Sequence, residues 1–127
     1  MKIRIKGNSI RWRLTQTEVE NVDAGQIVQE TVPFGKGQSS FRYALYADSE
    51  TDKILATYVD HTLRIGIPPQ QVKQWAGTDQ VGLEENIVWE DGTTLHVLVE
   101  KDFQCLHRRP AEDESDNFPN PAAENST

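Results

Sequence analysis

A chain of 127 residues with 36% hydrophobic and 26% charged residues is long enough for one domain with its own core, and its composition is that of an ordinary globular protein. It contains no run of about 18 apolar residues and no apolar segment behind Lys2 and Arg4, so neither a membrane span nor a secretory signal is expected. Cys105 is the single cysteine, which excludes a disulfide-stapled scaffold and points to a reducing, cytoplasmic setting. The net charge of −7 is uneven: Pro110 to Thr127 hold five acids and no base, leaving 13 bases against 15 acids in residues 1–109. That near-neutral body lacks the basic excess of a nucleic-acid binder.

Taken in chain order, "KIRIKG" and "SIRWRL" alternate with period two about a Gly7-Asn8-Ser9 turn, which predicts a hairpin. Thr15 followed by Glu18 fits a capping box, and Val19 with Val22 supplies an apolar stripe, so a helix of about two turns follows and stops near Gly25. "IVQETVPFG" and "SFRYALYAD" read as strands around a glycine-containing loop, and "KILATYVD" with "TLRIGIP" as a hairpin turning at Asp60-His61. "PPQQVKQWAGTD" predicts a second helix, with proline in the first turn and Gly77 near its end. "VGLEENIVWE", an Asp91-Gly92 turn and "TTLHVLVEKDF" complete the body. The segment "PAEDESDNFPNPAAENST" is rich in Pro, Asn and acids, so residues 1–109 are expected to form the domain and 110–127 an acidic, extended or disordered tail, with Phe118 its one candidate anchor.

The order β-β-α-β-β occurs twice. A shift of 53 lays Ile10, Trp12 and Leu14 on Leu63, Ile65 and Ile67, Val19 and Val22 on Val72 and Trp75, Val28 on Val81, and Ala44, Leu45 and Tyr46 on Val97, Leu98 and Val99. Identities are few, so the shared element pattern, not residue identity, suggests an internal duplication. Eight amphipathic strands with two short helices leave sheet edges to manage, and the expected answer is an α+β fold with a strongly curved, barrel-like eight-stranded antiparallel sheet, open or closed, and the two helices packed on it.

That element order resembles the CYTH, or triphosphate tunnel, fold, two β-α-β-β-β units around a polar channel. The resemblance covers nearly residues 1–103. The family's Glu-x-Glu-x-Lys strand corresponds here to Lys2-Ile3-Arg4-Ile5-Lys6, where only Lys6 matches and bases replace the metal-binding acids. No metal and no cofactor is therefore expected. The opening "MKIRIKGNSIR" and the later "VEKDF" with Cys105 are similar to an uncharacterised family of small bacterial proteins, a likeness that implies a bacterial, cytoplasmic protein and no particular activity.

The alternating hairpin places Lys2, Arg4, Lys6, Arg11 and Arg13 on one face, and Arg64 stands where the shift of 53 puts Arg11. Cations directly across a strand pair repel. Acids such as Glu84, Glu85, Glu100 or Asp102, the chain's own acidic tail, or a bound anion would offset this. The functional expectation is a non-enzymatic module binding an anionic small molecule or protein partner through these six residues; the alternatives are a divergent CYTH-like phosphohydrolase acting on a triphosphate and a purely structural or interaction protein. Whether the chain is an enzyme stays open, with binding favoured. Cys105 and His107 have the spacing of two metal ligands but lack the rest of a set. His61 and His96 have no partner pattern, Trp12, Trp75 and Trp89 read as core, and "FGKGQSS" joins two strands without the helix a phosphate-binding loop requires. Phe41, Tyr43 and Tyr46 with Arg42 read as packing, not as a platform for nucleic-acid bases.

Overall fold

The structure is a computed structural model that describes residues 1–104 and 113–121; Cys105 and His107 lie outside these residues. The expected elements form in the expected order. They are β1 (Lys2–Lys6), β2 (Ser9–Leu14), α1 (Gln16–Asp23), β3 (Val28–Val32), β4 (Phe41–Ala47), β5 (Leu55–Val59), β6 (Thr62–Ile67), α2 (Pro69–Gly77), β7 (Gly82–Val88) and β8 (Thr94–Lys101). Local chemistry accounts for each boundary. The Thr15 hydroxyl accepts from Glu18 N, and the Glu18 carboxylate accepts from Thr15 N at 2.9 Å, closing the capping box that starts α1. The β5–β6 turn holds both Asp60 (φ 52°) and His61 (φ 59°) in the left-handed region, the geometry that matches strand twist in a two-residue hairpin.

The strands do not close into one antiparallel barrel. They form two four-stranded mixed sheets, ordered β1-β2-β8-β7 and β3-β4-β6-β5. The four hairpins β1–β2, β3–β4, β5–β6 and β7–β8 are antiparallel; three turn within five residues or fewer, and β3–β4 closes over the longer loop 33–40. The pairs that join them, β2–β8 and β4–β6, are parallel. Each sheet thus takes one hairpin from each half of the chain. Closure would need ladders between the edges β1 and β3 or β5 and β7. Neither forms among the described residues, and a depression of about 390 Å³ separates β5 from β7, lined by Lys53, Leu55, Glu85, Ile87 and Trp89 among others.

One hydrophobic cluster joins the two sheets and both helices: Ile10, Trp12, Leu14, Leu83, Val97 and Val99 from the first sheet, Val28, Leu45, Leu63, Ile65 and Ile67 from the second, Val19, Val22, Val72 and Trp75 from the helices, and Ile54. Burying each large side chain contributes about 1.5–3 kcal/mol, so this cluster dominates the fold's stability. The shift of 53 holds for the hairpin and helix of each half, where all ten superposed apolar positions are buried. It slips further along. Ile10 and Trp12 pair with Val97 and Val99, whereas Leu63 and Ile65 pair with Tyr43 and Leu45, so β4 matches β8 at a shift of 54. Val28 opposite Leu45 then matches Leu83 opposite Val99, not Val81. Trp89 is another correction: it follows β7 at the head of a hairpin and is 43% exposed, while Trp12 and Trp75 are fully buried. Trp75 Nε1 donates to Val81 O at 3.0 Å, and Trp12 stacks edge-on to Tyr43 across the sheets at 6.0 Å.

Residues 113–121 lie against the body. Asp116 O accepts from Gln16 N at 2.9 Å, and its carboxylate accepts from Thr17 N and from Thr17 Oγ1, at the N-terminus of α1 where the backbone favours negative charge. The Thr15 hydroxyl and then Thr17 hold that carboxyl below the ordinary carboxylate range. Phe118 N donates to Asp102 O at 2.8 Å, Gln104 N to Phe118 O at 2.7 Å, and the Phe118 ring meets Phe103 at 5.9 Å. Lys101, its ammonium pushed down by burial, donates to Thr78 O at 2.7 Å and sits 5.3 Å from the Phe118 centroid. The described part of the acidic segment therefore docks at the start of α1 and the end of β8. It does not lie over the cationic hairpin face.

A cationic face on the first sheet

The hairpin turns at Gly7-Asn8, with Gly7 at φ 57°, and this sets its register. Lys2 lies opposite Arg13, Arg4 opposite Arg11, and Lys6 opposite Ser9. Since Ile10, Trp12 and Leu14 face the core, all five cations point to the outer face of the first sheet. Ladder pairing extends this face across four strands. One row runs Lys6, Ser9, His96, Asn86; the next runs Arg4, Arg11, Leu98, Glu84; the third runs Lys2, Arg13, Glu100, Gly82. The face is therefore graded, positive over β1 and β2 and negative over β8 and β7.

The gradient supplies some counter-charges. Arg11 Nε lies 3.2 Å from Glu100 Oε1, and Lys2 Nζ lies 3.4 Å from the nearly buried Asp102. Arg4, Lys6 and Arg13 are exposed and, among the described residues, pair with no carboxylate. Arg4, Lys6, Ser9 and Arg11 line a shallow depression of about 240 Å³. Behind it Ser9 Oγ lies 3.3 Å from His96 Nδ1, and His96 Nε2 is bonded to Glu84 Oε1. A carboxylate only accepts, so Nε2 carries the proton in this bond, and Nδ1 is left to the Ser9 hydroxyl. Asn8 fixes the turn against β8: its side chain donates to Thr94 O at 3.2 Å and its carbonyl accepts from His96 N at 2.9 Å.

Arg64 is not part of this cluster. It occupies the position equivalent to Arg11, pairing with Thr57 as Arg11 pairs with Arg4, but on the outer face of the second sheet. There it lines a separate depression of about 280 Å³ with Thr57, Val59, Asp60 and Thr62. The pattern of residues along β6 specified which side of the strand Arg64 takes. That its sheet is the other one follows only from the exchange of hairpins between the halves. Sequence reasoning missed Ser9 as a neighbour of His96 because β2 and β8 are adjacent in space and 87 residues apart in the chain; Glu84, 12 residues from His96 across the β7–β8 hairpin, needed only the register of that hairpin.

Against known proteins, residues 1–122 match the profile of a family of unknown function, DUF7009, and the chain belongs to that family. No curated protein and no solved structure matches the chain. Among the described residues, no helix is long and apolar enough to cross a membrane.

Proposed function

We propose that this protein is a non-enzymatic binding module that takes a phosphate-bearing anion on the outer face of the β1–β2 hairpin, with Arg4, Lys6 and Arg11 as its charged contacts, Ser9 as a hydroxyl contact and Lys2 and Arg13 extending the positive field. One observation carries the reading. Arg4 and Arg11 lie directly opposite each other, a repulsive arrangement, and line one depression with Lys6, while among the described residues only Arg11 of the three has an acid partner. A polyanion would satisfy all three cations with charge-assisted hydrogen bonds. The depression is open and shallow, which suits an inorganic polyphosphate or the phosphate end of a larger molecule. An acidic stretch of a partner protein would be read by the same charges.

Binding without chemistry fits the surroundings. Ser9, His96 and Glu84 resemble a nucleophile, base and orienting acid, but β2 runs between β1 and β8, so its amides are engaged in ladders and the groups that face an anion in the depression are the side chains of Arg4, Lys6, Ser9 and Arg11. The test is a thermal shift with pyrophosphate, tripolyphosphate and ATP, each with and without Mg²⁺. A ligand that binds only the folded state at 100 times its Kd stabilises by about 2.7 kcal/mol. Arg4→Gln and Lys6→Gln should each remove most of the shift, and Arg64→Gln, on the other sheet, should leave it intact. Equal loss in all three variants, or no shift with any anion, refutes the proposal; a shift that requires the metal favours a phosphohydrolase instead.

A further inference from the structure

The two open sheets end in four edge strands, β1, β7, β3 and β5. An unpaired edge is a template for another chain, and natural sheets protect such edges with charge. Three of these four are protected. β1 carries Lys2, Arg4 and Lys6, β3 carries Glu30 at its centre, and β7 carries Glu84 and Glu85. Pairing any of them with its own copy in an antiparallel, two-fold arrangement about the central residue would set like charges against each other: Arg4 on Arg4, Glu30 on Glu30, Glu85 on Glu85.

β5 differs. Its sequence, Leu-Ala-Thr-Tyr-Val from Leu55 to Val59, holds no charge, no proline and no glycine. Its apolar groups are uncovered: Tyr58 is 65% exposed, Val59 64% and Leu55 38%. One side is already paired with β6, and among the described residues the other side of its backbone is unpaired, opening at Leu55 on the depression that faces β7.

We propose that β5 is the edge through which two copies of this chain associate, joining their second sheets into one continuous eight-stranded sheet about a two-fold axis at Thr57. In that register Leu55 lies opposite Val59 of the second copy, Ala56 opposite Tyr58, and Thr57 opposite Thr57. The same register brings Lys53 beside the Asp60-His61 turn of the second copy, twice, so the charges that flank the strand attract. Complementary flanks around an uncharged centre distinguish β5 from the other three edges, and this is why a second copy, not an unrelated peptide, is the occupant the surface fits. A closed two-fold pair also leaves no β5 edge over, so association stops at two.

Sedimentation equilibrium on the whole chain tests this. The wild-type protein should sediment at twice its 14.4 kDa. Thr57→Lys, which sets like charges across the axis and beside Arg64, should raise the dissociation constant up to about fivefold, and Thr57→Glu, beside the same Arg64, should raise it less, while circular dichroism shows both folded. An equimolar mixture of the two variants should associate more tightly than either variant alone, because lysine then faces glutamate; misfolding cannot produce that rescue. A monomeric wild-type protein, a dimer indifferent to Thr57→Lys, a mixture no tighter than either variant alone, or loss of structure in both variants overturns the proposal. Arg4→Gln and Lys6→Gln, on the other sheet, should not change the mass, so a failed anion site and a failed dimer edge are told apart.

Discussion

Arg4→Glu separates the stability of the cationic hairpin from its use. In the wild-type chain Arg4 and Arg11 face each other directly, and Arg11 draws one acid, Glu100 at 3.2 Å. A like-charge pair directly across two strands is destabilising and an opposite-charge pair stabilising, each by roughly 0.2–1 kcal/mol. Reversing Arg4 removes the first and creates the second, so the variant should gain about 1 kcal/mol. For a chain of this length that corresponds to a rise in Tm of roughly 3–5 °C. The gain is electrostatic and exposed, so it should fall by more than half at 1 M salt, where the Debye length is about 3 Å. Differential scanning calorimetry at low and high salt measures it, and the anion-dependent shift of the same variant is read in parallel. The expected outcome is a protein more stable without ligand and unresponsive to polyphosphate. An unchanged or lower Tm at low salt would refute the reasoning about opposed cations. A higher Tm with undiminished anion response would leave the electrostatics standing and remove Arg4 from the site.

Two further outcomes follow from the ends of elements. Asp116→Asn weakens the docking of the C-terminal segment on α1 and should cost about 1 kcal/mol at neutral pH in urea denaturation. The wild-type carboxyl is held below its ordinary range, so its contribution is complete above about pH 4, the value in the unfolded chain, and disappears as pH falls through the lower folded value; the two proteins should converge in acid, and a gap that persists there would count against the Thr15 and Thr17 bonds as its origin. His61→Gly should stabilise by about 0.5 kcal/mol, since glycine avoids the left-handed cost at φ 59° but gives back part of it in chain entropy; a lower urea midpoint would show that the His61 side chain contributes something its exposed position does not reveal.

The buried faces of β2 and β6 were legible because they are local. Ile10, Trp12 and Leu14 alternate with Arg11 and Arg13, and the same alternation recurs at Leu63, Ile65 and Ile67 around Arg64. Thr15 and Glu18 announce α1 within four residues, and Asp60-His61 sits between two strand patterns with no length to spare. The candidate site was legible to the same depth. Period-two alternation placed all five hairpin cations on one face; within the Gly7-Asn8-Ser9 segment the chain turns at Gly7-Asn8, and this sets Arg4 against Arg11.

What the chain determined alone is thus every interaction that closes within a turn or a hairpin: element order, caps, the apolar stripes and the antiparallel pairs. Which hairpin lies beside which was decided only in three dimensions. The parallel ladders β2–β8 and β4–β6 connect residues far apart in sequence, and no periodicity distinguishes them from an antiparallel closure. The free energy that selects them comes from burying one shared core between the two sheets, a quantity that belongs to the assembled chain and to no segment of it. That choice carried Arg64 to the opposite sheet from Arg11, brought Ser9 to His96, and left β5 as an uncharged edge.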